Sequence, residues 1–395
     1  MKNWQKIFFP YALVMYEAVV YLANDMYLPS LPTIAHDLNT SQDMVQYTLS
    51  LWFLGTCGLQ IFLGPLSDYF GRRSVLLGGA VLFFLSTFMC AYAVSIEMLL
   101  VARFLQGAVV GTVTVAGYAA IHEFFDGPRT VQLLSVMASI IVLAPAAGPI
   151  VGAWILGSYS WRVIFLVLAW MGIGGMVGIY ITMPSHKLRV KSLLRNVIKD
   201  YQLLLKNRRF MRYALSFCLI ISSFFIWIVE GPFVVIEGLH LTPKAFGWMQ
   251  VMIFGCFGVG GLIAKKLISL YPVRRVIQVA MVVILLGASL FVLFSATHQV
   301  WWVVTGGVMV IALGAALGFG SLNRLAIESA QASMANRTAA FSLLVSGVGT
   351  FASFVMTFFN NRTFLNLSVV MAVFLLMGVG LVWPVLRDMK FKKSG

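Results

Sequence analysis

The sequence predicts an all-α polytopic membrane protein with twelve transmembrane helices in two six-helix halves. Of its 395 residues, 60% are hydrophobic and only 10% are charged, whereas soluble proteins carry about 45–50% apolar and about 25% charged residues. The mean hydropathy of +0.92 indicates that lipid surrounds most of the chain. The apolar runs are about 20 residues long, which suits spanning helices and excludes barrel strands of about 10 alternating residues.

Chain length and hydropathy patterning together indicate the number of helices. Twelve spans of about 21 residues use about 250 residues and leave only short loops and tails. A soluble enzyme domain does not fit in the remainder. The predicted spans are 8–28, 45–64, 74–94, 98–121, 131–156, 163–183, 213–235, 246–270, 276–296, 300–320, 339–359 and 364–385.

Basic residues show which loops face the cytoplasm. All but four of the 28 Lys and Arg residues lie in the termini or in the loops that share their side of the membrane. Arg162, Lys244 and Arg362 fall in the opposite loops, and Arg103 lies within a span. The positive-inside rule therefore predicts that both termini are cytoplasmic. The net charge of +15 is explained by contact with anionic lipid headgroups, so nucleic acid is not implied.

The longest polar segment divides the chain into halves. We expect an N-terminal six-helix half at 1–183, a basic cytoplasmic linker with an amphipathic helix at 184–212, a C-terminal half at 213–386 and a basic cytoplasmic tail at 387–395. A turn with glycine and basic residues follows both the second and the eighth span. This recurrence favours two related halves with a substrate site between them near the midplane, although any inner loop tends to be basic.

Ionisable residues inside the spans are candidate functional groups, because a charge at that depth costs at least about 2.5–3.5 kcal/mol. At about 1.5 Å per helical residue, Asp25 and Arg103 lie about 7 and 9 Å below the outer boundary, which predicts an ion pair. Glu17 lies about 19 Å below it and is predicted to bind and release a proton during transport. Glu230 is near the outer boundary and could reach water. The alternative for the acids is a role in helix packing.

Other residues are candidates for a cavity or a hinge. Tyr21 and Asn24 fill the polar strip between the two acids, and aromatic side chains can stack on a cationic or planar ligand. Packing in the core or against lipid is the alternative for each aromatic residue, among them Tyr16, Trp52 and Trp227. Pro145 and Pro149 predict a kink in the fifth span, which could act as a hinge. Pairs of glycines four residues apart, such as Gly148 and Gly152, predict close helix packing.

Several segments resemble the major facilitator superfamily. Residues 64–73 (GPLSDYFGRR) resemble its signature loop between helices 2 and 3, and residues 103–107 (RFLQG) resemble its helix 4 motif. Residues 144–152 (APAAGPIVG) resemble the helix 5 motif of its antiporters. Residues 24–32 (NDMYLPSLP) are similar to the end of helix 1 in twelve-span drug:proton antiporters, particularly the bicyclomycin and chloramphenicol resistance branch. Glu17, placed before Asp25, resembles the acid pair of its broad-specificity multidrug exporters.

The resemblance implies roles for individual residues. It implies protonation at Glu17 or Asp25, with Arg103 as the modulating cation. It also implies a conformational latch on the cytoplasmic side and a hinge in helix 5. The latch residues are Gly64, Asp68, Gly71, Arg72 and Arg73, and the hinge residues are Pro145, Gly148, Pro149 and Gly152. Tyr69 stands where the family often has a basic residue, and Lys265 replaces the acid in the second copy of the loop.

We therefore expect a bacterial inner-membrane transporter that exports small organic compounds, lipophilic cations or neutral molecules, in exchange for protons by alternating access. We expect it to work as a monomer without a cofactor, the proton being the coupling ion. The alternative is a dedicated exporter of one endogenous metabolite, such as a siderophore, amino acid or signalling molecule. An enzyme is not expected, because the chain has no H-E-x-x-H, G-x-S-x-G or G-x-x-x-x-G-K-[ST] motif.

Overall fold

The computed structural model describes residues 3–125, 127–184, 201–297, 300–330, 334–359 and 361–388. Within these ranges the chain forms helices, turns and bends but no strand, and twelve long helical segments follow one another. The all-α fold class predicted from hydropathy is confirmed.

The helices of the first half begin near the predicted positions. They are α1 (Asn3–Asp25), α2 (Gln42–Phe70), α3 (Arg72–Ala91), α4 (Ile96–Gly111), α5 (Gly127–Leu156) and α6 (Trp161–Thr182). The fourth segment continues beyond α4 through a π-helical stretch, Thr112–Gly117, and a final α-helical part, Tyr118–Phe124.

The second half contains the remaining six helices. They are α7 (Arg208–Pro232), α8 (Pro243–Leu270), α9 (Val273–Thr297), α10 (Trp301–Glu328), α11 (Met334–Phe358) and α12 (Phe364–Asp388). A π-helical stretch, Phe233–Gly238, extends α7. Ten of the described segments are long and apolar enough to cross a membrane by themselves, and α2 and α5 complete the set of twelve.

Side-chain caps explain where several helices begin. Ser41 accepts a hydrogen bond from the backbone N–H of Met44 at 3.3 Å at the start of α2. Thr242 accepts from Ala245 N–H at 3.2 Å at the start of α8. Such caps satisfy backbone donors that have no partner within the helix.

The chain after α1 contains a short helix that the hydropathy pattern did not predict. A 3₁₀ turn, Leu28–Ser30, leads into the helix Leu31–Asp37. Pro29 and Pro32 occupy the second positions of these two elements, within the first turn, where the missing proline N–H costs nothing. The prolines therefore start new helical turns just beyond Asp25.

The chain divides into two compact units, Met1–Asn196 and Val197–Gly395. In the first unit, α2 packs along α4, and α1 packs against α5 and α6. Gly55 and Gly107 allow the first contact, because a side chain at either position would overlap a carbonyl oxygen of the other helix. In the second unit, α9 packs along α10, and α7 is enclosed by α10, α11 and α12.

The linker and tail are described only in part. The amphipathic helix predicted within 184–212 falls largely on residues 185–200, which lie outside the described ranges. Residues 201–206 are helical, and the Asn207 side chain caps α7 by accepting from the N–H groups of Arg209 and Phe210. Of the predicted tail, residues 389–395 lie outside the described ranges.

Candidate functional site

Helix α1 carries the two acids on one face. Glu17, Tyr21 and Asp25 are spaced by four residues, which aligns them along an α-helix. The side chains of Glu17 and Asp25 are 0% and 3% exposed, and Tyr21 between them is half-buried. The first unit therefore contains two enclosed carboxyl groups on α1, about two helical turns apart.

Glu17 has a partner that sequence reasoning missed. The hydroxyl of Tyr118 donates to Glu17 Oε1 at 2.9 Å, while Glu17 Oε2 is buried without a hydrogen-bond partner in the described part of the chain. Tyr118 directly follows the π-helical stretch in the fourth segment, which rotates the residues beyond it relative to a regular α-helix. No motif or spacing in the sequence links two residues this far apart.

The direct ion pair predicted between Asp25 and Arg103 is wrong. No ion pair within 4.0 Å joins them among the described residues, and Asn24 lies between them instead. Arg103 Nη2 donates to Asn24 Oδ1 at 3.1 Å, and Asn24 Nδ2 donates to Asp25 Oδ1 at 3.3 Å. Adjacent helical residues point about 100° apart, so Asn24 faces Arg103 and Asp25 faces another neighbour.

Arg103 is completely buried and held by several groups. Its Nη1 donates to the carbonyl oxygen of Ala23 at 3.0 Å and to the side-chain oxygen of Gln106. Its guanidinium carbon lies 4.2 Å from the centre of the Tyr27 ring and 5.9 Å from that of Trp52. These contacts fix the cation in place and satisfy most of its donors.

Two further hydrogen bonds extend this network to other helices. Gln106 Nε2 donates to Thr87 Oγ1 of α3 at 2.8 Å. The hydroxyl groups of Tyr27 and Thr48 of α2 lie 3.0 Å apart. Arg103 therefore sits in a buried polar network that ties α1, α2, α3 and α4 together. Its Nε atom is buried without a hydrogen-bond partner in the described part of the chain.

Helix α5 forms the neighbour that Asp25 faces. A Cβ atom at Gly148 would lie 2.7 Å from Asp25 Cβ, and one at Gly152 would overlap the carbonyl oxygen of Met26. The absence of side chains at these two positions lets α5 approach the end of α1. Pro145 and Pro149 lie within α5, which runs continuously through both; the predicted kink and hinge stay predictions.

The structure separates the two aromatic candidates of the first unit. Trp52 lies beside Arg103 and is 4% exposed. Tyr16 instead packs its ring edge-on against Phe83 of α3, with 6.1 Å between ring centres, and contacts Gly175 of α6. Tyr16 is therefore a core residue on a different face of α1 from Glu17.

The predicted latch residues form a cluster where α2 meets α3. Arg72 pairs with Asp68 at 2.6 Å and with Glu123 at 3.0 Å. Gly71 between the helices has φ 88° and ψ 150°, a backbone conformation that residues other than glycine rarely adopt. Arg73 Nη2 donates to the Tyr180 carbonyl oxygen at 2.6 Å. Gly64, the first residue of the motif, lies within α2.

Glu123 is the second residue that sequence reasoning missed. In the sequence it follows His122, but the two residues are not part of an H-E-x-x-H motif. Its real partner, Arg72, lies on another helix and reaches it through its Nε atom at 3.0 Å. Within the described residues, no group of three His, Cys, Asp or Glu side chains could hold a metal ion.

Trp227 and Glu230 belong to α7 in the second unit. Both are 0% exposed, so Glu230 does not extend to water as the sequence allowed. Trp227 Nε1 donates to Gln250 Oε1 of α8 at 2.7 Å. The second unit therefore has its own buried polar residues near the end of α7.

Comparison with solved structures identifies the fold. The chain superposes on a bacterial homologue of the human lysosomal transporter Spinster, in an inward-facing and unoccupied conformation, with a TM-score of 0.76 over 98% of each chain at 13% identity. It superposes on a D-xylose–proton symporter with a TM-score of 0.77 over 95% of this chain and 96% of the other, at 14% identity. At these identities the likeness concerns the fold alone.

A sequence profile decides the family. The profile of the Major Facilitator Superfamily matches residues 13–354. The chain belongs to the major facilitator superfamily. As a member of this superfamily it is a multi-span membrane transporter for small molecules.

Individual relatives confirm the branch that the motifs predicted. This facilitator is 31% identical to the chloramphenicol resistance protein CraA of Acinetobacter baumannii over 87% of its own length and 84% of that protein. It is 32% identical to the multidrug transporter MdfA of Escherichia coli strain CFT073, over 86% of its own length and 84% of that protein. It is 31% identical to the multidrug resistance protein MdtM of Escherichia coli K12, over 82% of its own length and 80% of that protein.

Proposed function

We propose that this facilitator exports small, drug-like organic compounds from the bacterial cytoplasm in exchange for protons. The observation that carries the proposal is the pair of enclosed acids, Glu17 and Asp25, on one face of α1. Relatives named for chloramphenicol resistance and multidrug transport support export of drug-like substrates. A bacterial inner membrane, cytoplasmic termini and a single-chain transporter without a cofactor are parts of the same proposal.

Formal charges explain how a proton and a substrate would compete. Arg103 always carries one positive charge, and Glu17 and Asp25 carry two negative charges when both are ionised. A proton on either acid makes this group of three neutral. Its release leaves one net negative charge, which a cationic substrate can balance. An uncharged substrate would compete by occupying the space beside the protonated acid.

The bonds around Asp25 suggest where the exchange occurs. Asn24 Nδ2 reaches Asp25 Oδ1 at 3.3 Å, which is long for a hydrogen bond to a carboxylate. A substrate donor can therefore replace it while the bonds that hold Arg103 remain intact. Glu17 has one oxygen on Tyr118 and one without a partner in the described residues, so it can take up a proton without breaking a bond.

Proton entry would supply the energy for export. Each charge that moves through the membrane potential contributes about 2.3 kcal/mol per 100 mV. We assign to Asp68, Arg72 and Glu123 the task of stabilising one conformation of the first unit's cytoplasmic end. Their ion pairs at 2.6 and 3.0 Å lie at a helix junction, where a small displacement would break both.

The test is proton release from purified, detergent-solubilised protein in weak buffer. Addition of chloramphenicol or of tetraphenylphosphonium to the unmodified protein should acidify the medium, because each displaces a proton. Asp25→Asn and Glu17→Gln should reduce the release severalfold. Glu97→Gln is the matched control, because Glu97 is an exposed acid at the start of α4, and it should behave like the unmodified protein.

Binding of both compounds without proton release would contradict proton exchange and indicate a uniporter or a symporter. Undiminished release from the doubly substituted protein would also contradict the proposal, since the protons would then come from other groups.

A further inference from the structure

The second unit contains a buried amide whose orientation is imposed by its neighbour. Gln250 of α8 and Trp227 of α7 are both 0% exposed. Trp227 Nε1 donates to Gln250 Oε1 at 2.7 Å. An indole N–H can only donate, so the oxygen of the amide must face Trp227 and its NH₂ group must face the other way.

The NH₂ group of Gln250 meets no acceptor among the residues that the structure describes. Nε2 is buried without a hydrogen-bond partner in the described part of the chain. A buried donor without a partner is destabilising, and most such donors in native proteins are paired. Rotating the amide by half a turn would not help, because Gln250 Nε2 would then face the Trp227 N–H. The free donor is a consequence of the Trp227 contact.

The end of α7, which carries Trp227, is flanked by aromatic rings and has an irregular backbone. A Cβ atom at Gly231 would lie 3.3 Å from the Phe246 ring and 3.4 Å from the Trp227 ring, so the two rings flank the backbone of α7 there. Directly beyond Pro232 the helix changes to the π-helical stretch Phe233–Gly238, a feature often found at functional sites. Apolar walls with one oriented polar group are typical of small-molecule sites.

We propose that Gln250 binds substrate by donating a hydrogen bond from Nε2 to an uncharged oxygen acceptor, such as a carbonyl, nitro or hydroxyl group. Trp227 is the positioning residue that holds the amide in the donating orientation. The inference rests on the proposed export function and assigns the recognition of uncharged substrates to the second unit. The acids of the first unit attract cations, whereas Gln250 offers a neutral donor.

The full burial of Gln250 agrees with this role. A transporter that works by alternating access encloses its substrate during part of the cycle, so a binding residue is inaccessible in some conformations. The substrate oxygen would replace no protein acceptor at Nε2, because none lies there in the described ranges of the chain. Binding therefore gains a hydrogen bond without the loss of another within the protein.

The test compares two compounds in inside-out membrane vesicles that carry a proton gradient. Chloramphenicol is uncharged and has several oxygen acceptors, whereas tetraphenylphosphonium is a cation without any hydrogen-bonding group. Gln250→Met keeps the length of the side chain and removes the donor. We expect it to raise the half-saturating concentration for chloramphenicol about three- to tenfold, and that for tetraphenylphosphonium less than about twofold.

A second variant tests the positioning residue. Trp227→Phe keeps an aromatic ring but releases the amide, which can then rotate. We expect the half-saturating concentration for chloramphenicol to rise, but by less than in Gln250→Met, and that for tetraphenylphosphonium to stay unchanged. Gln250→Asn, which retains the amide, should recover part of the affinity for chloramphenicol.

The outcomes distinguish a failure of the proposed export function from a failure of the role proposed for Gln250. An unmodified protein that exports neither compound would contradict the proposed function and this inference with it. Export of both by the unmodified protein, with equal effects of Gln250→Met on the two compounds, would contradict this inference alone. If Gln250→Met changed the export of neither compound, the amide would not bind substrate, and this inference would again be contradicted. If Gln250→Met does not fold, Trp227→Phe decides. An unchanged ratio between the half-saturating concentrations for chloramphenicol and tetraphenylphosphonium in that variant would contradict the inference.

Discussion

At the scale of the residue, Asn24 decides how the buried cation and the acid next to it interact. Arg103 and Asp25 lie at similar depth, as the rise per residue predicts, but depth says nothing about rotation around the helix axis. The side chain of Asn24 points to Arg103, and that of Asp25 points to Gly148. The charge of Arg103 therefore acts on Asp25 through a neutral amide, which leaves the carboxyl available to a substrate.

Two tyrosine hydroxyls in the first unit give a matched prediction at this scale. Tyr118→Phe removes the donor to Glu17 Oε1, so Glu17 loses the one side-chain hydrogen bond that it makes among the described residues, and with it its fixed position. We expect proton-driven export to fall severalfold. Tyr16→Phe removes a buried hydroxyl without a partner among the described residues, so we expect export within about twofold of the unmodified rate.

The measurement is initial export rate at equal protein amount in vesicles. Equal rates for Tyr118→Phe and the unmodified protein would show that Glu17 does not depend on Tyr118.

At the scale of the element, glycines determine which helices approach each other. Gly148 and Gly152 bring α5 against the last turn of α1, next to Asp25. Gly107 does the same for α4 against α2, at the level of Trp52. Close approach of backbones at small residues is the usual means of helix packing in membranes. Asp25 is therefore enclosed because α5 lacks side chains where it meets α1.

Gly152→Ala should separate α1 from α5. Its Cβ atom would overlap the Met26 carbonyl oxygen, and overpacking of this kind costs about 1–3 kcal/mol. We expect a lower unfolding temperature and a loss of most export. Gly58→Ala is the matched control in α2, because its Cβ atom would meet no atom within 4 Å. A better helix former there should leave stability unchanged or raise it by up to about 1 kcal/mol.

Thermal unfolding in detergent and export in vesicles are the two measurements. If both alanine variants unfolded at the same temperature, the close contact between α5 and α1 would not exist in the protein.

At the scale of the whole molecule, the distribution of basic residues predicts orientation. Alkaline phosphatase is active only outside the cytoplasm, and green fluorescent protein folds best inside it. Fused after residue 158, between α5 and α6, phosphatase should be active and the fluorescent protein dark. Fused after residue 271, between α8 and α9, the two reporters should give the opposite result, because the nearby Lys265, Lys266, Arg274 and Arg275 favour the cytoplasmic side. A reversed pattern would contradict cytoplasmic termini.

The sequence by itself determined that lipid surrounds the chain, how many helices cross the membrane and which ionisable residues lie within the spanning segments. These follow from local composition, because the free energy of placing a segment in lipid is approximately a sum over its own residues. The motif around Asp68 and Arg72 and the acids of α1 could be found in the same way, since each lies within a short stretch of chain.

Only the tertiary structure decided which groups meet. Tyr118 reaches Glu17 across 101 positions of the sequence, and Glu123 reaches Arg72 across 51. Gln250 meets Trp227 on a different helix, and Asn24 separates Arg103 from Asp25. These contacts depend on the rotation of each helix about its axis and on the glycines that allow close approach. The hydropathy pattern contains little information about either, because rotating a uniformly apolar helix changes its packing partners but hardly changes its transfer free energy.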